Sequence, residues 1–220
     1  MIKYSVILGN VGQCSDRYMT GGYGRSFELD ELFERVASIK GVTGVELIGK
    51  WHLSDKTVGK IKDLLKQYAL EPVAIIPDHF GTQIWSKGAF TNPDANIRRE
   101  AVLETNRMCE LARELGCSLI SIWNGQDGYD YPLQADYIKA HKWLSEGLAQ
   151  CCADNPDMRI ALEYKPKEPR NHSFLANVWT ALTIIGESGM PNMGITIDVG
   201  HSLEAYEDVS EAICAAMSRG

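Results

Sequence analysis

Apolar residues gather in six short runs along the chain, at 4–10 (YSVILGN), 43–48 (TGVELI), 71–77 (EPVAIIP), 117–123 (CSLISIW), 159–164 (RIALEY) and 194–198 (GITID). Each is bounded by polar residues, glycine or proline, the profile of strands buried in a sheet. Between the runs the spacing turns helical. Over 27–40, Leu29, Leu32, Phe33 and Val36 fall on one helical face, and Gly41 closes that helix. Ser54 reads as the cap of a second helix, SDKTVGKIKDLLKQYAL, with Asp55 in its first turn. Asn92 or Asp94 opens a long helix that ends near Gly116. Helices follow over 136–154, from a cap at Ser173 to Ser188, and over 209–218. Residues 11–25, 81–91 (with Trp85) and 124–129 read as loops.

Strand and helix thus alternate six times, which predicts a parallel sheet covered by helices. An open doubly wound sheet carries a Gly-rich fingerprint after its first strand. Residues 9–24 hold glycines but no G-x-G-x-x-G. Polar functional types sit instead after the third to sixth strands, which favours a closed α/β barrel, the (β/α)8 TIM barrel. Eight units typically take about 250 residues. With six units in 220 residues, the expectation is a single domain over 1–220 that is truncated at its C-terminus.

Composition narrows the function. The formal net charge is −7. No Lys/Arg cluster suited to duplex DNA is present, so nucleic acid is not expected as a partner. None of the six cysteines forms a C-x-x-C pair, which points to free thiols in a reducing compartment. Neither a signal peptide nor an apolar stretch of about 18 residues is visible. A cytoplasmic protein without a membrane segment is expected.

Candidate chemistry collects at two strand ends. The fifth run continues as Glu163, Lys165, Lys167 and Glu168, with Pro166 and Pro169 stopping the strand. The sixth ends in Asp198, with His201 three residues on. In a parallel barrel the C-terminal strand ends face one mouth. Carboxylates there suit hard divalent cations, so Glu163 and Asp198 could share one ion. Ion pairs with Lys165 or Arg170 are the plain alternative. His201 could be a ligand, a substrate contact or a loop histidine. Lys165 could be an electrophile or a surface charge. Trp123 could line a sugar site or belong to the core. His79 reads as a loop histidine, and His52, His141 and His172 as surface or helix-face residues.

These residues carry a resemblance. Glu163-Tyr164-Lys165-Pro166-Lys167-Glu168-Pro169-Arg170 resembles the E-x-K-P-x-E-P-R segment of xylose isomerases. Ile197-Asp198-Val199-Gly200-His201 looks like that family's E-V-G-H segment, with Asp in place of Glu. Ile122-Trp123-Asn124-Gly125-Gln126-Asp127-Gly128 resembles its W-G-G-R-E-G turn. The Asp brings the chain nearer to rhamnose isomerases and ketose 3-epimerases. The resemblance implies a xylose-isomerase-like TIM barrel with one or two divalent ions, Mn²⁺, Mg²⁺ or Co²⁺. Glu163 and Asp198 would bind the first ion. Asp198 could bridge to a second, and His201 would bind that ion or the substrate. Lys165 would polarise the sugar carbonyl, and Trp123 would form an apolar wall. His79 matches the place of the histidine that helps open the sugar ring. Further ligands are expected after Gly220.

The implied activity is aldose–ketose isomerisation by a metal-assisted 1,2-hydride shift. The alternative is ketose 3-epimerisation, in which a proton is removed and returned. Those epimerases commonly lack a lysine two residues past the strand-five Glu, so Lys165 favours the isomerase. An abasic-site endonuclease would need a basic surface, which the acidic balance opposes. A non-catalytic sugar-binding barrel is the other option. The expected partner is a small, unphosphorylated sugar, and a homo-oligomer (dimer or tetramer) is expected of the full-length protein.

Overall fold

In chain order the elements are β1 (Tyr4–Ile7), α1 (Leu29–Ala37), β2 (Val42–Ile48), α2 (Val58–Gln67), β3 (Glu71–Ile76), α3 (Ala95–Leu115), β4 (Leu119–Trp123), β5 (Gly128–Tyr129), α4 (Tyr137–Asp154), β6 (Arg159–Glu163), β7 (His172–Ser173), α5 (Val178–Ser188), β8 (Met193–Thr196), α6 (Val199–Glu204) and α7 (Val209–Met217). The computed structural model describes residues 2–15, 19 and 21–218. Within the loop expected over 11–25, residues 16–18 and 20 lie outside them. Six strands form one sheet in the order β1-β2-β3-β4-β6-β8, while β5 and β7 make a two-residue antiparallel ribbon. Sheet neighbours are consecutive major strands, and the assigned pairs are parallel. Parallel neighbours need a crossover, and the helices supply it.

The chain divides into two compact units. The first comprises Met1–Asp78 and Met108–Ile120. Its strands pair Val6 with Val45, Leu47 with Ile75, and Ile75 with Ile120. Leu8, Phe33, Val36, Val45, Leu47, Ile61 and Ile75 are buried there. The face foreseen for α1 is the buried one, and Glu31 closes a capping box on the Glu28 N–H at 2.9 Å. The second unit comprises His79–Arg107 and Ser121–Gly220. Its core holds Trp85, Phe90, Leu144, Leu148, Ile160, Leu162 and Ile184.

Several boundaries differ from the sequence reading for local reasons. The first strand stops at Ile7, and a 3-10 turn takes Leu8–Val11. Ser54 is not a helix cap: its N–H donates to Thr57 Oγ1 at 2.9 Å, and the helix begins only at Val58. Ser173 lies in β7, and Asn177 caps α5 by accepting from the Thr180 N–H at 2.8 Å. Asp94 does open α3, its carboxylate accepting from the Asn96 N–H at 2.8 Å. All six cysteines are free thiols. No described helix is long and apolar enough to cross a membrane.

His52 is not a surface residue. It is 8% exposed, and its Nδ1 accepts a hydrogen bond from the Ile48 N–H at 3.2 Å. Burial pushes its imidazole down to about 4. The unfolded chain takes up this proton near pH 6.5, before the folded one does. Stability from His52 is therefore complete above about pH 6.5 and is lost as pH falls toward 4, by roughly 2–3 kcal/mol. Urea midpoints of wild type and His52→Gln at pH 7 and 4.5 check this. The wild type should lose more stability than the variant, and equal losses would refute the assignment.

Candidate metal centre

Side chains alternate along a strand. Burial continues to alternate just past the end of β6, with Glu163 and Lys165 half-buried and Tyr164 between them fully buried. The β6–β8 register sets Glu163 beside Thr196, the last residue of β8. Asp198 follows two residues later. The sequence reading placed it in the strand. The structure instead makes it the N-cap of α6: its Oδ1 accepts from the His201 N–H at 2.9 Å and its carbonyl from the Ser202 N–H at 2.9 Å. The Asp-x-x-His spacing is thus a capping geometry, and it turns the His201 ring back toward Asp198.

Ligand atoms of Glu163, Asp198 and His201 lie within 4.8 Å of one another. Glu163 Oε1 is 3.4 Å from His201 Nδ1, and Asp198 Oδ2 is 3.6 Å from His201 Nε2. Both gaps exceed a good hydrogen bond. Ligands of one ion, each about 2.1 Å from it, sit about 3–4 Å apart at ordinary angles. The buried His201 Nδ1 makes no hydrogen bond to the described residues. Burial holds the imidazole below its ordinary range, against the pull of Asp198 and with help from Lys165. That favours the neutral, metal-ligating form. Charge agrees: Glu163, Asp198 and Glu168 against Lys165 leave two formal negative charges. A divalent cation fits the donor set and the charge.

Lys165 Nζ reaches Glu168 Oε2 at 3.2 Å, and the Lys165 side chain is 15% exposed. Glu168, in the loop after β6, is therefore a counter-ion of Lys165. The ammonium stands 5.9 Å from the centre of the Trp123 ring, at the edge of cation–π range. Trp123 packs on Phe80 with ring centres 4.6 Å apart. Gly125 makes room for the indole, because a Cβ there would lie 2.8 Å from Trp123. His79 is fully buried, with Trp85 and Phe90 against its ring at 5.6 and 4.9 Å. Its Nε2 lies 3.1 Å from the Ala101 carbonyl. A carbonyl only accepts, so that nitrogen carries the proton. These contacts give His79 a supporting place beside Phe80 and speak against a ring-opening role.

The sequence reading missed Asp127. Its buried carboxylate accepts from the N–H groups of Ala89, Phe90 and Thr91 at 2.9, 3.2 and 2.7 Å, from Thr91 Oγ1 at 2.6 Å and from Asn124 Nδ2 at 3.1 Å. Burial pushes this carboxyl up, and the donors oppose the shift. Gln126 Nε2 donates to the Phe80 carbonyl at 3.2 Å. Together the bonds of Asp127 and Gln126 hold the loop after β3, and with it Phe80 of the aromatic wall. An acidic residue between two loop glycines was the available signal.

A family model described as xylose isomerase-like TIM barrel matches residues 33–219. The chain belongs to the xylose isomerase-like TIM barrel family. Its α/β fold is accordingly TIM-barrel-like. The xylose isomerase of Thermus thermophilus is 28% identical over 171 residues, which are 76% of this chain and 44% of that protein. The chain therefore spans less than half the length of this relative. A D-allulose 3-epimerase structure from Methylomonas sp. matches with a TM-score of 0.75 at 15% identity, over 99% of this chain and 69% of that one. A 3-keto-D-glucoside 4-epimerase from E. coli matches at 0.70 and 17% identity, over 89% and 73%. Identities that low establish a shared fold.

The capping role of Asp198 separates two effects. Asn also caps helices well, whereas Ala does not. Asp198→Asn should keep the melting temperature near wild type but weaken Mn²⁺ binding at least tenfold. Asp198→Ala should weaken binding and also lose about 1 kcal/mol of stability. Calorimetric Mn²⁺ titration and thermal melts check both. Wild-type Mn²⁺ affinity in Asp198→Asn would remove Asp198 from the ligand set.

Proposed function

We propose that the protein is a divalent-metal-dependent ketose epimerase, which inverts the carbon beside the carbonyl of a small sugar. The observation that carries this reading is the place of Glu163, a half-buried carboxylate at the end of β6 and 3.4 Å from His201. The Lys165–Glu168 pair at 3.2 Å is compatible with either reaction, since the isomerase segment has the same two residues. A proton route asks for a carboxylate at the C–H bond, and Glu163 is at the strand end to serve. The solved structures named as 3- and 4-epimerases support the same choice.

In this reading Glu163, Asp198 and His201 hold the cation. When bound, it supplies Lewis-acid stabilisation of the charge that develops on the sugar oxygens. Glu163 takes the proton from one face of the reacting carbon, and inversion requires a second, solvent-exchanging acid to deliver a proton to the opposite face. Lys165 donates to the carbonyl oxygen as that oxygen gains charge. Trp123 and Phe80 press on an apolar face of the ring and exclude water. The net charge of −7 speaks against a nucleic-acid substrate.

A second reading is aldose–ketose isomerisation by hydride shift. The placement of Lys165 near His201 and the match to a xylose isomerase favour it.

Turnover in D₂O with Mn²⁺ and a panel of ketoses and aldoses decides between them. Epimerisation should place solvent deuterium at the inverted carbon, about one per turnover, visible by NMR. Product free of deuterium, with hydrogen moved between C1 and C2, would establish the isomerase instead. In either reading Lys165→Met should lower kcat about a hundredfold while KM changes little.

A further inference from the structure

We infer that Tyr164, Ser202 and Glu207 form a clamp that sets the separation of the metal-binding side chains, which makes Tyr164 a positioning residue. The inference rests on the metal reading of Glu163, Asp198 and His201. Tyr164 sits between the half-buried Glu163 and Lys165, one residue past β6, and is itself fully buried. Its phenol oxygen lies 2.6 Å from Glu207 Oε2 and also contacts Ser202 Oγ. A carboxylate only accepts. The phenol hydrogen therefore goes to Glu207, and the Ser202 hydroxyl donates to the phenol oxygen.

Each member is fixed from a further side. Glu207 Oε1 accepts from the Val178 N–H at 2.7 Å. That N–H belongs to the first turn of α5, where no intrahelical partner exists. The Glu207 N–H donates to the Ser202 carbonyl at 3.0 Å. Ser202 is buried and adjoins His201. A residue adjoining Glu163 is thus bonded directly to one adjoining His201, the two side chains that stand 3.4 Å apart at the site.

A polar clamp is needed because α6 has only six residues. A helix that short has no stability of its own, and apolar packing alone would let it rotate about its axis. Rotation of α6 moves His201 relative to Glu163. The Asp198 cap fixes its start, and the Tyr164–Ser202 bond fixes its face. Tyr164 offers no side-chain group to the site and acts only through its neighbours. Loss of such outer partners typically weakens metal binding about 10–100-fold.

The test is Mn²⁺ titration of the purified protein, read by calorimetry and by the EPR line shape of the bound ion. The set is wild type, Tyr164→Phe, Ser202→Ala and Leu148→Ala, the last a core truncation in α4. Tyr164→Phe and Ser202→Ala should each raise the Mn²⁺ Kd about tenfold or more and broaden the bound-ion spectrum. Leu148→Ala should lower the melting temperature with affinity and spectrum unchanged. Wild-type affinity in both clamp variants, or equal weakening in Leu148→Ala, would overturn the clamp alone. Should Tyr164→Phe fail to fold, Ser202→Ala decides. Absence of Mn²⁺ binding in the wild type would overturn the metal reading and the clamp with it.

Discussion

Pairing Glu163 with Thr196 leaves Asp198 two residues past the last ladder position, where the chain must find new partners for its backbone groups. It does so by starting α6, with Asp198 as the cap. The same carboxylate then has one oxygen committed to the His201 N–H and the other facing the His201 ring. Everything proposed for the site follows from that turn. Strand pairing fixes Glu163, the cap fixes Asp198, and the helix returns His201 between them.

Two acidic environments in the second unit differ in what surrounds them, Asp127 fully buried and Glu163 and Asp198 only partly so. Asp127 accepts from five protein donors, so its charge is met from within the chain. Its consequence is mechanical: it holds the segment 89–91. Glu163 and Asp198 come within 3.4 and 3.6 Å of one imidazole, while Lys165 is ion-paired with Glu168. Two carboxylates and an imidazole brought together in this way suit a divalent cation.

The parts of this arrangement that were legible in the sequence are those with local signatures. Apolar runs ending in Glu163 and near Asp198 marked the strand ends, and the alternation of elements marked the barrel-type sheet. The E-x-K and D-x-x-H spacings carried the candidate ligands. Local rules failed where two signals competed. Ser54 and Ser173 looked like caps, but a nearby threonine and a strand partner claimed them, and α6 was too short to show a period. Long-range contacts left no trace at all. Tyr164 meets Ser202 and Glu207 across separations of 38 and 43 residues, and Asp127 reaches back 36–38 residues. His52 looked like a surface residue because nothing local says that its ring will be buried.

The barrel itself does not choose the chemistry, since one fold hosts many reactions, and this chain is similar both to an isomerase and to epimerases. Under the epimerase proposal Lys165 serves as a hydrogen-bond donor to a sugar oxygen. Lys165 and Glu168 are three residues apart, on either side of Pro166, with side chains 15% and 35% exposed. A paired ammonium there is still a hydrogen-bond donor. In the proposed reaction a donor would steady the enolate oxygen while a carboxylate moves the proton. A hydride shift would use the same donor, and the E-x-K-P-x-E-P-R segment carries the same lysine and glutamate. The pair therefore serves either reaction, and the proposed choice turns on whether a carboxylate meets the reacting C–H bond.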